Sequence, residues 1–161
     1  MTAVLALSGS VLAGCTSDSP PDPAVTAGQL ATGLGSGDLA AVPFDGSTGA
    51  AATESVRNAV GDLKDLPRAV TVTDVTKASG DDKKATATLQ WTWDVSNSAA
   101  DWVYSTKAAL VLADDKTWHV QWSPTLVEPK LTASEHFAVD RSQGKRGEIL
   151  DGDGNVLVGL R

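Results

Sequence analysis

Alternating apolar and polar positions dominate the middle of the chain. Between residues 68 and 122, apolar side chains recur at every second position, which is the spacing of a β-strand with one buried face. Turn-forming residues at 80–82, 97–98 and 114–116 divide this region into four segments, so the pattern predicts an antiparallel sheet of about four strands. The clearest strand covers residues 85–95, and its predicted inner face holds Ala85, Ala87, Leu89, Trp91, Trp93 and Val95.

A helical period precedes the strands. Residues 50–66 carry apolar side chains at i, i+3, i+4 and i+7, and Pro67 closes the segment. Its predicted buried stripe is Val56, Ala59, Val60, Leu63 and Leu66. A weaker, glycine-rich helix begins near Ala24, with Val25, Leu30 and Leu34 on one face. Two or three N-terminal helices that cover one side of a curved antiparallel sheet make an α+β domain.

The pattern changes after Trp122. Pro124 and Pro129 punctuate an extended segment that can neither pair throughout as a central strand nor form a helix. Two short apolar segments, residues 147–150 and 156–158, then flank a turn and predict a small hairpin. Residues 118–154 therefore have the character of a joint, in which one domain ends and another begins.

The N-terminus has the features of a bacterial lipoprotein leader. Residues 1–14 carry no charge, and they end at Cys15, the sole cysteine. Such a run is typical of a secretory signal and is too short to span a bilayer. Leu12, Ala13 and Gly14 before Cys15 are similar to a lipobox, in which cleavage leaves the cysteine N-terminal and diacylated. We predict a signal peptide at 1–14, lipidation of Cys15 and a flexible tether at 15–23.

Two further expectations concern this leader. The alternative to lipidation is that Cys15 is a lone thiol in a disordered leader. No Lys or Arg precedes the apolar run, although a signal peptide begins with positive charge, so we expect the true start codon to lie upstream of Met1.

Acidic side chains predominate up to Pro129. Fifteen Asp and Glu and eight Lys and Arg lie between Cys15 and Pro129 and account for the formal net charge of −7, whereas charges balance over residues 130–161. Nucleic-acid binding and a basic membrane patch both need clustered Lys and Arg, so this balance argues against both. A single cysteine excludes an internal disulfide framework.

Most of the five tryptophans lie on the predicted strands. Trp91 and Trp93 share a face, as do Trp118 and Trp122. This spacing favours a large aromatic core for the sheet, and an aromatic ligand pocket is the alternative.

Candidate catalytic groups are sparse. Ser142 and Lys145 match an S-x-x-K pattern, but neither an S-D-N nor a K-T-G element follows, so we interpret the match as chance. His119 falls on the polar face of its strand, as a solvated histidine. His136 has no second His, Cys or suitably spaced carboxylate with which to hold a metal.

The acidic loop from Asp151 to Asn155 is not a calcium site by its sequence. Its oxygens alternate as in a calcium loop, but Val156 replaces the glycine of the sharp turn. A tight turn is the simpler interpretation. We therefore assign no catalytic, cofactor-binding or metal-binding residue, and we expect no cofactor.

Two motifs in the joint carry a family resemblance. The first resembles the end of the N-terminal domain of class B penicillin-binding proteins related to the methicillin-resistance transpeptidase, a nuclear transport factor 2-like cone. It consists of Trp118, Val120, Trp122, Pro124, Leu126, Pro129 and Leu131. The second is similar to the start of the dimerisation domain that follows in these proteins, although Gly152 stands where the family usually has an arginine. It consists of Arg146, Gly147, Ile149, Asp151 and Gly154.

The resemblance implies a domain order. It places the cone at residues 24–131, and a linker with the start of a truncated dimerisation domain at 132–161. In the family the catalytic serine and lysine lie in a later transpeptidase domain, which is expected to be missing after Arg161, so no catalytic residue carries over and this chain is expected not to be an enzyme.

The same resemblance implies a role in the cell envelope. The cone would be a non-catalytic spacer and interaction module, tethered through Cys15 to the extracytoplasmic face of the plasma membrane. Penicillin binding and antibiotic response would be roles of the whole family member. The expected partners are the membrane, the missing transpeptidase domain and other cell-wall synthesis proteins, without nucleic acid.

Two other classes of function stay open at this point. In the first alternative the chain is a free-standing lipoprotein that binds a small apolar ligand in the cone. In the second it is a small enzyme of the ketosteroid-isomerase type. The enzyme would need Tyr104 and a pocket carboxylate to converge. Asp94 lies on the opposite face of its strand, which makes that option the weakest.

Overall fold

The architecture is α+β, as the sequence predicts. The computed structural model describes residues 21–95, 100–140, 147 and 149–158. Two α-helices lie in this part of the chain, α1 (Pro23–Ser36) and α2 (Gly49–Val60). The strands are β1 (Phe44–Asp45), β2 (Arg68–Ala78), β3 (Asp81–Trp93), β4 (Trp102–Leu112), β5 (Trp118–Gln121), β6 (Ile149–Leu150) and β7 (Val156–Val158). Two 3₁₀ turns cover Gly61–Leu63 and Pro124–Leu126.

The main sheet has five strands in the order β1-β5-β4-β3-β2. The four predicted strands form an antiparallel meander, and β1 adds a parallel edge beside β5. Phe44 pairs with Val120, whose N–H also donates to the carbonyl of Pro43 at 2.9 Å. Strand β1 has only two residues, which are too few to show an alternating pattern. The sequence therefore did not predict this fifth strand.

The inner face of the sheet and the helices form the core. On β3 the buried positions alternate as predicted through Trp93, and Trp91 and Trp93 are fully buried. Val95 lies beyond the end of the strand and is 42% exposed, so its assignment to the inner face was wrong. The predicted turn at 97–98 lies outside the described residues.

Helix α1 packs along the sheet despite its glycines. The Asp22 side chain caps its N-terminus by accepting from the Ala24 N–H at 2.9 Å, and Gly37 ends it with φ 78°. Its buried residues are Pro23, Thr26, Ala27, Leu30, Ala31, Gly33 and Leu34. Val25 is 59% exposed. The prediction of Val25 on this face was wrong, because its position lies on the opposite side of the helix from Leu30 and Leu34.

Helix α2 is shorter than predicted. It ends at Val60, because Gly61 adopts φ 47° and ψ −121°, a conformation outside any helix, and a 3₁₀ turn follows. The predicted stripe is nevertheless buried through Leu63, with Leu66 partly buried against the core. Thr53 ties this helix to the preceding loop, since its hydroxyl accepts from the Leu39 N–H at 2.9 Å and donates to the Gly49 carbonyl at 2.8 Å.

A separate two-stranded sheet follows the main domain. Ile149 pairs with Val158 and Leu150 with Val156, as the predicted hairpin requires. Ile149, Leu150, Val156 and Leu157 are all exposed. In the described ranges, neither helix has the length and apolar character that a transmembrane segment needs.

Candidate functional site: an aromatic wall and the segment it holds

Five aromatic rings meet at one end of the sheet. The strand register places Trp91 opposite Tyr104 and Trp93 opposite Trp102 on neighbouring strands. Trp91 stacks on Trp93 with ring centroids 5.8 Å apart and on Tyr104 at 6.1 Å. Phe137, far along the chain, contacts Trp93 at 6.1 Å and Trp102 at 5.4 Å, both edge-on. We call these five residues the aromatic wall.

The polar atoms of the wall are bonded to the chain itself. The Trp91 indole N–H donates to the Leu126 carbonyl at 3.1 Å and to the Thr106 hydroxyl at 3.2 Å. The Trp93 indole donates to the Tyr104 hydroxyl at 3.1 Å, which in turn donates to the Val127 carbonyl at 2.8 Å. The wall therefore holds the 3₁₀ turn that follows β5.

Tyr104 is the most strongly perturbed titratable group of the wall. Burial raises the pKa of Tyr104 to about 12, because the phenolate would lose solvation. The hydrogen bond from Trp93 acts in the opposite direction and lowers the pKa, whereas the nearby Glu128 raises it. At neutral pH the phenol is protonated, and its proton is committed to Val127, so Tyr104 is not available as an acid for a substrate.

Arg68 closes the wall on the side of helix α1. Its guanidinium lies 5.4 Å from the centre of the Trp93 ring, and its Nε–H donates to the Leu34 carbonyl at 3.0 Å. Burial lowers the pKa of Arg68, but an arginine stays cationic at neutral pH. The Arg68 guanidinium thus places a positive charge and a hydrogen-bond donor at the last turn of α1, where carbonyl groups lack helical partners.

Three of the five tryptophans are core residues, as predicted. Trp91, Trp93 and Trp118 are fully buried. Trp122 is partly buried and packs edge-on against Phe44, with centroids 6.1 Å apart. Trp102 is 38% exposed at the rim of the wall. The indole nitrogens of Trp91 and Trp93 are bonded within the protein and their rings stack on each other, so these two buried rings do not present a binding surface to a ligand.

The candidate histidines do not converge on a site. His119 lies on the outer face of β5 as predicted, but it is partly buried rather than fully solvated, because β1 flanks it. Its Nδ1 is 3.2 Å from the Phe44 carbonyl oxygen, and its Nε2 is 3.6 Å from an Asp115 carboxylate oxygen. His136 is exposed. Among the described residues, no group of three His, Cys, Asp or Glu side chains is placed to hold a metal ion.

The other candidate residues that the structure describes do not form a site either. Asp94 is exposed, whereas the Tyr104 hydroxyl is bonded to Val127, so the pair that an isomerase would need is not assembled. Asp151 turns its carboxylate to its own loop and accepts from the N–H groups of Asp153 and Asn155 at 2.9 and 2.8 Å. These bonds lower the pKa of Asp151 and confirm a tight turn. Cys15, Ser142 and Lys145 lie outside the described residues.

A small polar cavity lies between α2 and the segment after β5. Its volume is about 120 Å³, and its lining includes Asn58, Trp122 and Glu135. Glu135 accepts from the Thr132 N–H and hydroxyl, which lowers the pKa of the glutamate. The carboxylate thus stabilises a local turn, and the cavity brings together none of the predicted catalytic candidates.

Sequence reasoning missed the residues that complete the wall. Phe137 follows a polar stretch with no period around it, so its contact with Trp93 and Trp102 had no local signal. Thr106 alternates with Tyr104 and Ala108 on β4, and this spacing does place it on the inner face. Gly61 inside an otherwise helical stripe was a signal for a special backbone conformation.

These features define the class of protein. The chain folds into an α+β domain in which two helices pack against one face of a sheet whose buried side is rich in aromatic residues. A family model for the NTF2-like N-terminal transpeptidase domain matches residues 48–135, which is more than half of the chain. The chain belongs to this family, which confirms the resemblance carried by residues 118–131, whereas the resemblance of residues 146–154 to the start of a dimerisation domain stays a prediction. The comparison with curated proteins gave no match.

Family membership has a direct functional consequence. The matched region is the N-terminal domain of a transpeptidase-type protein, and residues 48–135 contain the wall apart from Phe137. Helix α1 precedes the matched region, and Phe137 follows it. The predicted boundaries of the signal peptide, tether, cone and linker stay predictions.

Proposed function

We propose that this chain is the non-catalytic N-terminal portion of a penicillin-binding protein, a peptidoglycan D,D-transpeptidase, and that it acts as a spacer and interaction module. In this proposal a lipid on Cys15 holds it at the extracytoplasmic face of the plasma membrane. Penicillin binding and antibiotic response would be properties of the complete protein. One observation carries the spacer role: the chain enters the domain at one end of the sheet and leaves it at the other.

The entry point lies where β4 ends and β5 begins. Trp118 is the first residue of β5 and pairs with Leu112, the last residue of β4. Its indole N–H donates to the Pro21 carbonyl at 2.8 Å. The segment that would follow the tether is thus bonded to the sheet before α1 begins.

The exit point lies at the opposite end of β4. Phe137 contacts Trp102, the first residue of β4, and Trp93, the last residue of β3. Strand β4 has 11 residues. At roughly 3.3 Å per residue it separates the two ends of the sheet by about 33 Å. A domain of this form would hold the domain that follows it at a distance from the membrane anchor that precedes it.

Lipidation tests the membrane half of the proposal. The full chain, expressed in a bacterial host with a positively charged n-region supplied before Met1, is expected to incorporate a labelled fatty acid and to partition into detergent. A Cys15→Ser variant is the matched control and should lose both properties. Equal labelling of the two forms, or labelling of neither, would contradict a lipid anchor on Cys15.

Acylation tests the catalytic half. Incubation of the purified chain with a fluorescent penicillin should give no covalent adduct by intact-mass spectrometry. A penicillin-binding protein that contains its transpeptidase domain serves as the positive control under the same conditions. A stoichiometric adduct on the 161-residue chain would sink the proposal that it is the non-catalytic portion.

The alternative, a lipoprotein that binds an apolar ligand in the cone, has less support. The rings that would line such a site, Trp91, Trp93 and Trp118, have no exposed surface. A ligand between them would have to displace packed side chains. The filled inner face therefore favours the spacer.

A further inference from the structure

The segment after Leu131 is fastened to the end of helix α2. The Phe137 N–H donates to the Ala59 carbonyl at 2.9 Å, and the Asp62 N–H donates to the Phe137 carbonyl at 3.1 Å. The Val139 N–H then donates to a carboxylate oxygen of Asp62 at 3.1 Å. Three hydrogen bonds thus hold residues 137–139 against the end of α2, and one of them satisfies a carbonyl at the end of the helix.

The Phe137 side chain adds a second attachment. Its ring lies edge-on to Trp93 and Trp102, which are directly paired across β3 and β4. Trp93 is itself held by its bond to Tyr104. The segment is therefore connected to the helix through its backbone and to the sheet through its ring.

Gly61 makes this attachment possible. It adopts φ 47°, where L side chains are strained, and a Cβ built on it would approach the Phe137 carbonyl oxygen to 2.3 Å. Only glycine allows both the turn at the end of α2 and the close passage of the segment. The early end of α2 and the attachment of Phe137 thus both depend on Gly61.

We propose that Gly61, Asp62, Phe137 and Val139 form an exit clamp, a positioning device that fixes the direction in which the chain leaves the domain. This inference rests on the proposed spacer function for its biological meaning. A spacer sets the position of the next module only if its outgoing chain is held rigidly. Without the clamp, residues after the turn at 132–135 would rotate about single bonds, and the separation set by the sheet would not be transmitted.

Electron–electron distance measurement tests the clamp. In a Cys15→Ser background, spin labels on Thr86→Cys and Asp140→Cys report the position of the outgoing chain relative to the outer face of β3; both sites are exposed. The clamped chain is expected to give one narrow distance distribution. Phe137→Ala should broaden it at least twofold, and Gly61→Ala should do the same by displacing the Phe137 carbonyl.

Phe44→Ala is the matched control. Phe44 packs edge-on against Trp122, so this variant also loses an aromatic contact but leaves the exit segment untouched. Because none of the hydrogen bonds or ring contacts that form the clamp involves Phe44 or Trp122, this variant is expected to keep the narrow distribution, with folding verified for each variant by circular dichroism. Should Phe137→Ala leave the distribution narrow, or Phe44→Ala broaden it equally, the exit clamp would be overturned. Either outcome is independent of lipidation and penicillin labelling, which test the proposed function.

Discussion

At the scale of single residues, the buried polar side chains of this protein form hydrogen bonds within the protein. Tyr104 illustrates this most clearly, because its hydroxyl accepts from Trp93 and donates to Val127 within one short chain of bonds. In the described part of the chain, no buried side-chain nitrogen or oxygen lacks a hydrogen-bond partner. A buried polar group so fully bonded stabilises one packing arrangement and leaves little for a ligand.

The raised pKa of Tyr104 predicts a pH dependence. Folding favours the neutral phenol, since its pKa is raised from 10.0 to about 12 in the folded state. The resulting contribution to stability is complete below pH 10 and is lost as the pH rises from about 10 to about 12. The free energy of unfolding, from urea titrations across this range, should fall more steeply in the wild type than in Tyr104→Phe.

The same residue offers an independent readout. Tyr104 is the only tyrosine, so the ultraviolet absorbance of phenolate reports it alone. The titration midpoint is expected well above 10.0 in the folded chain and should return to the ordinary value in denaturant. A midpoint unchanged by unfolding would contradict the burial of this hydroxyl.

At the scale of elements, the aromatic wall joins the sheet to the turn that follows it. Trp91 on β3 and Thr106 on β4 both donate to the Leu126 carbonyl, at 3.1 and 3.0 Å. The 3₁₀ turn at Pro124–Leu126 is thereby fixed from two strands at once. Ring packing and hydrogen bonding reinforce each other at this point, because both depend on the same register between β3 and β4.

A pair of matched substitutions tests this contribution. Trp91→Phe removes a buried indole donor and leaves unfilled volume, and we expect it to lower the free energy of unfolding by about 2 to 3 kcal/mol. Trp102→Phe changes the same chemical group at a ring that is 38% exposed, so we expect less than half that loss. Urea denaturation followed by circular dichroism measures both, and equal losses would contradict the role assigned to Trp91.

At the scale of the whole molecule, the important property is the path of the chain. It enters beside Trp118 and leaves beside Phe137, and β4 runs from one point to the other. The same fold with both ends on one side would tether a following module close to its anchor. The opposite placement seen here is the geometry that the proposed spacer role needs.

Spin-label distances test this geometry. In a Cys15→Ser background, labels on Val25→Cys and Asp140→Cys should be separated by a distance on the order of 30 Å, estimated from the length of β4. Labels on Val25→Cys and Asp114→Cys form the control pair and should lie much closer, because Asp114 is in the turn at the entry end. Similar distances for the two pairs would refute the opposite placement of the chain ends.

Local periodicity explains how much of this fold was predictable. The four strands of the meander, the buried stripe of α2 and the small hairpin all follow from the spacing of apolar side chains and turn residues. The family resemblance likewise depended on two short motifs, each within one continuous stretch, at residues 118–131 and 146–154. Such features can be predicted without knowing which distant segments of the chain contact each other in the fold.

The tertiary structure decided every feature that depends on two distant segments. Phe44 became a strand only because β5 lies beside it, and His119 became partly buried for the same reason. Gly61 ended α2 early where Phe137 passes over it. The sequence by itself therefore determined the α+β class, most of the inner faces and the family. Only the folded chain, in which long-range contacts select among local conformations, decided the fifth strand, the filled aromatic wall and the opposite positions of entry and exit.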